Sequence, residues 1–344
     1  MVWALQSPPG LLGALNDPIS AEEDWLLLCA ARYGINSAGW RWCDGRGVKP
    51  AAGELPVWWR SGPKCRVGPD GVPWDLLTGL PVHVVRICDG APMVLIPGGS
   101  FLMGCSPEDY QWVRCNAARF NVGMEDAGAG QQHRVILHPY YVDVCLVTQP
   151  RYDTVDVANG HGVPWAFSPG HPVTNVNWYD AWAYAKCVGA TLPTEAQWER
   201  AARGGRNCRF PWGDELPDAN RANFHGHIGA TTQVGAFAPN PFGLYDMAGN
   251  VYEWCLDWYS PTYYAESLMR EPPGPKAGDE KVLRGGSWGR WAEDDAGLLH
   301  VAFRFAGRPD DSSPCWGFRC VIPLYQATTV DAAPEAGVND ETAP

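Results

Sequence analysis

The sequence predicts a loop-dominated fold of short strands, tight turns and few helices, on three observations. Thirty-nine Gly and 31 Pro among 344 residues supply far more turn chemistry than a helical bundle uses. A hydrophobic content of 46%, including 18 Trp, nonetheless calls for a packed core. Between residues 92 and 322, short apolar runs and tight turns are interrupted by two helical windows. This length leaves room for about two domains, or one large irregular domain with an extension.

Taken in order, Ser20 stands before an apolar run, Trp25 to Leu28, and Glu23 completes a capping box, with Gly34 as a stop. That pattern predicts one helix. Residues 40 to 81 are rich in Gly, Pro and Trp, and with 80–87 they read as short strands and turns. Residues 1–90 therefore form an amino-terminal extension, and they carry no motif with chemistry. Trp178, Ala181, Trp182 and Ala185 fall at helical spacing after Asn175 or Asn177, either of which can cap. A second helix follows Thr194, with Gln197 three residues on and Gly204-Gly205 as its end. The stretches 242–254 and 282–288 read as hairpins and loops. Residues 326–344 are acidic, lack aromatic side chains, and are expected to form a disordered tail.

The formal net charge of −12 opposes nucleic acid, because phosphate binding depends on Lys and Arg displacing counterions. No run of 18 apolar residues is present, so no membrane insertion is expected. The amino terminus MVWALQSPPGLLGALND has no basic start and no small-residue cleavage site, which predicts a cytoplasmic address. There the 12 Cys are expected to stay reduced.

Seven motifs then occur in one order: MVLIPGGSFLMG (93–104), HPVTNVNWYDAWAYA (171–185), LPTEAQWERAARGG (192–205), FPWGD (210–214), GLYDMAGNVYEW (243–254), LRGGSW (283–288) and GFRC (317–320). Together they resemble the formylglycine-generating-enzyme, or sulfatase-modifying-factor, family. The resemblance implies that 91–325 forms that family's C-type-lectin-like α+β domain with little regular secondary structure, its two helices packed on small twisted antiparallel sheets. It does not settle activity, because such a scaffold hosts copper oxidases, sulfoxide synthases and noncatalytic binding modules.

The oxidases of the family hold Cu(I) between two Cys five positions apart, shortly after the GGS turn. In this chain the matching positions are Arg290 and Asp295. A guanidinium is permanently cationic and cannot ligate copper, so no copper is expected. Cys315 and Cys320 keep the spacing elsewhere, but an odd separation along an extended strand sends their side chains to opposite faces. The sulfoxide synthases need an H-x3-H-x-E pattern for iron, whereas residues 1–90 contain only His83. His225 and His227 form the one close His pair, without a carboxylate nearby, and read as a solvated loop. No catalytic residue is assigned.

What remains distinctive is the filling between LRGGSW and GFRC, residues 289–316. It resembles the variable region of proteins diversified by retroelements, in which adenines of Asn codons are mutated. Such mutation never yields Trp, Glu, Lys, Met or Gln; within 289–316 only Trp291, Glu293 and Trp316 fall outside the permitted set, and no Asn is left. The frame Ala302-x-Arg304-x4-Pro309 is kept. This predicts a noncatalytic ligand-binding protein with a variable surface made of Arg290, Asp294, Asp295, His300, Phe303, Phe305, Ala306, Gly307, Arg308, Asp310, Ser312, Ser313 and Cys315. Phe303 and Phe305 could equally be core residues of an alternating strand. The expected partner is a protein or other macromolecule. The alternative is a copper-dependent formylglycine-generating oxidase, or another metal-dependent oxidoreductase of the family.

The resemblance also implies a structural calcium, with carboxylates from Asp246 and Glu253 and main-chain carbonyls of Gly249 and Val251. A second calcium site of the family is absent, because the loop after Asn223 is short and carries no carboxylate.

Overall fold

The computed structural model describes residues 40–42, 82–86, 88–116, 131–155, 169–289 and 296–324. The helix expected after Ser20 and the acidic tail lie outside them. In chain order the elements are β1 (Trp40–Trp42), β2 (His83–Arg86), β3 (Pro92–Ile96), β4 (Gly99–Met103), α1 (Pro107–Asn116), β5 (His133–Leu137), β6 (Tyr140–Asp143) and α2 (Gln149–Asp153). They continue with α3 (Trp178–Cys187), α4 (Glu195–Arg203), β7 (Tyr252–Trp258), β8 (Lys281–Arg284), β9 (Phe305–Gly307), β10 (Trp316–Gly317) and β11 (Val321–Pro323). Single 3-10 turns occupy Tyr263–Ala265 and Ala296–Leu299.

The strands build three sheets: β1-β2-β3-β6-β11, β10-β7-β8-β9, and the pair β4-β5. Every pairing is antiparallel except β10 on β7. The GFRC stretch does not form one strand. Trp316–Gly317 joins the four-stranded sheet and Val321–Pro323 the five-stranded one, so the residues between them carry the chain across the core.

The two expected helices form where their caps stand. Asn177, not Asn175, caps α3; its side chain accepts from the Asp180 N–H, and the Asp180 carboxylate reaches back to the Asn177 N–H. Thr194 and Gln197 make the same reciprocal pair at α4, and Gly204 at φ 59° ends it. Helix α4 contacts β4, β7 and β8, and its Trp198 and Ala201 share one core cluster with Val94, Val142 and Val282. Helix α3 sends Ala181, Tyr184 and Ala185 against Trp254, Leu283 and Phe318. Trp178 Nε1 donates to the Cys255 carbonyl at 2.8 Å and Trp254 Nε1 to the Val176 carbonyl at 3.1 Å, so both buried indoles are satisfied.

Helix α1 was not expected. Its ten residues are mostly polar, but the Ser106 hydroxyl accepts from the Asp109 N–H at 3.1 Å and Pro107 opens the first turn. It covers the 3-10 turn at Ala296–Leu299, and so roofs the start of the segment that carries the candidate site.

Buried arginines tie the layers together. Arg86 reaches both oxygens of Asp143 at 2.9 and 3.2 Å, and Arg151 joins Asp143 and Asp89. Arg319 takes Glu253 through two bonds of 2.7 and 3.0 Å. Arg203 and Arg284 share Glu199, which also accepts the Gly104 N–H at 2.8 Å. Each carboxylate is taken out of water with a guanidinium already against it, the arrangement that keeps a buried charge tolerable.

Candidate functional site

A glycine in a turn and a glycine in strand β10 mark the two ends of the segment. Gly286, at φ 75°, approaches the 3-10 turn so closely that a Cβ would stand 2.7 Å from the Leu299 side chain. At the other end a Cβ on Gly317 would stand 2.7 Å from the Val173 carbonyl oxygen. Between them the chain is fixed by groups that come from elsewhere. Arg304 makes a fork on Glu195 at 2.6 and 2.9 Å, with Tyr259 and Tyr264 at 4.8 and 4.3 Å over its plane. Arg284 donates to the Phe303 carbonyl. Strand β9 pairs with β8.

The outer loop is held by its backbone. The Pro309 carbonyl accepts from the Trp178 N–H at 3.1 Å, and the Ser313 carbonyl from the Asn175 N–H at 2.9 Å. Trp288 Nε1 donates to the Pro314 carbonyl at 3.1 Å, and Tyr252 N–H to the Cys315 carbonyl at 2.8 Å. Arg308, Asp310, Asp311, Ser312 and Pro314 are exposed; Ser313 is half-buried. Behind them Phe305 stacks on Tyr252 at 5.0 Å, with Trp316 edge-on at 6.3 Å, and both Phe305 and Trp316 are half-buried.

Several residues expected on that surface are not on it. His300 is 1% exposed, its Nδ1 accepts the Ala302 N–H at 3.0 Å, and the rings of Trp112 and Phe210 flank it. Burial pushes its pKa down to about 3, so the ring is neutral and structural. Phe303 is buried beside Leu298 and Phe318 in the core, and Gly307 is buried against Trp254 and Trp316. Cys315 is buried as well; burial raises its thiol pKa, against hydrogen bonds from Ser287, Gly289 and Ser313. Ala306 is half-buried. Arg290, Asp294 and Asp295 lie outside the described residues. The exposed members of the expected set are thus Arg308, Asp310 and Ser312, with Phe305, Ala306 and Ser313 half-exposed. Sequence reasoning missed Trp288 as a neighbour of the loop and did not place Asp311 in it. The Trp288–Pro314 bond has no sequence signal, whereas Asp311 sits inside a run already singled out.

The two cysteines with the right spacing face different surroundings. Cys315 lies by Ser287 and Gly289, while the Cys320 N–H donates to Asp143 and its thiol neighbours Arg86 and Asp143. His225 and His227 lie with ring centroids 5.3 Å apart. Among the described residues no three His, Cys, Asp or Glu side chains gather as a metal would require.

The calcium expectation finds one carboxylate where it needed two. Both Glu253 oxygens are held by Arg319, which neutralises the charge that the ion would use. Asp246 accepts the Gly235 N–H through Oδ2 at 2.7 Å, and burial raises its pKa above the ordinary carboxylate range. A hard dication wants several charged oxygens, and the set Asp246, Gly249, Val251 and Glu253 does not fit it.

Residues 84–324 match the sulfatase-modifying factor enzyme 1-like domain. The formylglycine-generating enzyme of Streptomyces coelicolor is 35% identical over 291 residues, covering 66% of this chain and 88% of that one. The inactive C-alpha-formylglycine-generating enzyme 2 of Mus musculus is 31% identical over 293 residues, 66% of this chain and 84% of the relative. Among solved structures, Treponema denticola variable protein 1 superposes with a TM-score of 0.53 at 26% identity, covering 68% of this chain and 95% of that one. No helix among the described residues is long and apolar enough to cross a membrane.

Proposed function

Because the chain belongs to the sulfatase-modifying factor family, in which catalysts and an inactive relative share one scaffold, we propose that it is a noncatalytic member that binds a macromolecular ligand through the surface of 289–316. One observation carries the reading: the exposed loop from Arg308 to Pro314 is anchored by carbonyls of Pro309, Ser313 and Pro314, not by its exposed side chains. Arg308, Asp310, Asp311 and Ser312 can therefore change without loss of the anchors, which is what a diversified binding surface needs. The half-exposed Phe305 and Trp316 supply an aromatic centre with charged residues at its rim, the composition of a binding hot spot. Likeness to a variable protein in fold supports the same direction.

The absence of thiols at positions 290 and 295 supports the noncatalytic part. The test is to load the protein with Cu(I), measure bound metal, and offer a Cys-containing sulfatase-motif peptide under oxygen. The expected result is neither stoichiometric copper nor product. Copper at one equivalent together with formylglycine would establish the oxidase reading that 35% identity to a formylglycine-generating enzyme favours. Diversification has its own check in the neighbouring DNA: a near-copy of the 3′ coding segment with mismatches confined to adenines, beside a reverse transcriptase.

A further inference from the structure

Helix α1 rests on the Ala296–Leu299 turn with little apolar grip. Val113 is its one buried side chain among those described, while Tyr110 and Trp112 are half-buried. On its outer side Asp109 clasps Arg209 at 2.7 Å, and the Arg209 guanidinium lies 5.3 Å from the Trp112 ring. Beneath the helix the Trp112 ring meets Phe210 edge-on at 5.7 Å, and both rings close over His300. An element with so little buried surface opens more readily than the core it covers.

His300 is built into this joint in one protonation state. Its Nδ1 accepts the Ala302 N–H at 3.0 Å, so its proton sits on Nε2, which is buried and has no hydrogen-bond partner. A second proton can enter only at Nδ1, where it would meet the Ala302 N–H, donor against donor. None of the groups around the ring is placed to receive an imidazolium. From α1, Asp109 spends Oδ1 on Arg209 and Oδ2 on Ser106. From α4, Glu199 is shared by Arg203 and by Arg284 of β8, two guanidiniums that repel a further cation. Cys105 Sγ lies 3.9 Å from Nδ1, but burial pushes that thiol up to about 12, so it carries no charge. Burial first, and then Arg203, hold the His300 pKa far below the ordinary imidazole value of 6.5, against Asp109 and Glu199.

We propose that α1 is an acid-opened lid: protonation of His300 at Nδ1 breaks the bond from Ala302 and releases the helix from the Ala296–Leu299 turn, exposing Trp112 and Phe210. The inference stands whether or not residues 289–316 bind a ligand. Above about pH 6.5 the ring is neutral with α1 open or closed, and opening does not depend on pH. Between about pH 6.5 and 3 only the open form takes the proton, so opening is favoured progressively as pH falls. The Asp109–Arg209 clasp does not supply this dependence, because, against burial, the bonds from Arg209 and Ser106 hold the Asp109 carboxyl below its ordinary range.

Hydrogen exchange in the full chain, with rates scaled to the intrinsic rate at each pH, tests the lid. Protection of α1 and of residues 296–300 is expected to fall about thirtyfold from pH 7.5 to 5, approaching tenfold per pH unit below pH 6 as one proton is taken up per opening. At pH 5 these amides should exchange at least about a hundredfold faster than those of β3 and β6, because opening leaves the core folded. In His300→Asn, Oδ1 can accept the Ala302 N–H and does not titrate, so the acid loss in α1 should shrink to less than about threefold. Level wild-type protection on acidification, or α1 exchanging no faster than β3 and β6 at pH 5, would overturn the proposal. So would an acid loss in His300→Asn equal to that of wild type. The wild-type slope and the comparison with β3 and β6 decide the matter even where that variant does not fold.

Discussion

Arg304 shows how a single side chain divides a segment into frame and surface. It belongs to 289–316, yet its guanidinium is buried on Glu195 and between two tyrosine rings. Arg304→Ala removes the fork and leaves buried Glu195 only the Arg284 Nε at 3.6 Å, and is expected to cost about 3 kcal/mol. Arg304→Lys keeps the charge but not the fork, and should fall between wild type and Ala in urea unfolding. An exposed neighbour, Arg308→Ala, should stay within about 0.5 kcal/mol. Equal costs at the two positions would mean that the segment is not divided in this way. Near this pair stands Asp257, whose Oδ2 accepts the Glu195 N–H at 2.8 Å. Burial first, and then the Glu195 carboxylate, raise its pKa to about 7, against Arg304 and Lys281. The sign is that of a raised carboxyl: between about pH 4 and 7 the folded state holds a proton that the unfolded state has released, so this group's contribution to stability falls as pH rises through that window. Asp257→Asn can keep the bond from Glu195 and loses the charge. Its melting temperature should exceed that of wild type at pH 8 by a few degrees, with the gap narrowing through pH 5 and closing below about pH 4, read by differential scanning calorimetry. A gap that does not narrow on acidification would refute the assignment.

Elements were legible where local chemistry announces them. Thr194 with Gln197, Asn177 with Asp180, and Gly204 mark helix ends through bonds made within one turn, so the residues alone locate α3 and α4. Helix α1 was hidden because its run PEDYQWVRCN has little apolar periodicity; the signal that remained was Ser106-Pro107 with Asp109. Ser106→Ala is expected to cost about 1 kcal/mol, and hydrogen exchange in α1 and the 3-10 turn beneath it should rise together. The split of the GFRC stretch between two sheets could not be read, because pairing partners are set by the tertiary fold and not by the strand itself. The same limit governs the candidate surface. His300, Phe303 and Cys315 carry residue types suited to contact, but type does not decide which side of a turn faces water, and α1 and the core close over them. For the loop element, the triple change Asp310→Ala, Asp311→Ala and Ser312→Ala should leave unfolding free energy within about 1 kcal/mol, since the anchoring carbonyls remain. A larger loss would show that those side chains support the fold, and would remove the basis for a freely variable loop.

At the scale of the molecule, the question is what supplies cohesion in a fold so poor in regular structure. The candidates are arginine–carboxylate pairs across layers and a bound ion that clamps loops. The turn 246–253 is where the two alternatives meet, because Glu253 can serve Arg319 or a calcium but hardly both at full strength. Arg319 also donates to the carbonyls of Asp143 and Tyr245 at 3.1 and 2.8 Å, so one guanidinium joins β6, the Asp246 turn and β7 without a metal. If calcium were the clamp, ligand binding to the native state alone would raise stability by about 2.7 kcal/mol at a hundredfold excess over its dissociation constant, several degrees in melting temperature. The arginine account predicts a shift of less than about 1 °C between 1 mM calcium and excess chelator. It also predicts that Arg319→Met, which leaves Glu253 buried and unpaired, unfolds at least about 3 kcal/mol more easily in either buffer. A calcium-dependent gain in wild type, larger still once Arg319 is removed, would return the ion to the turn and demote the guanidinium to its substitute.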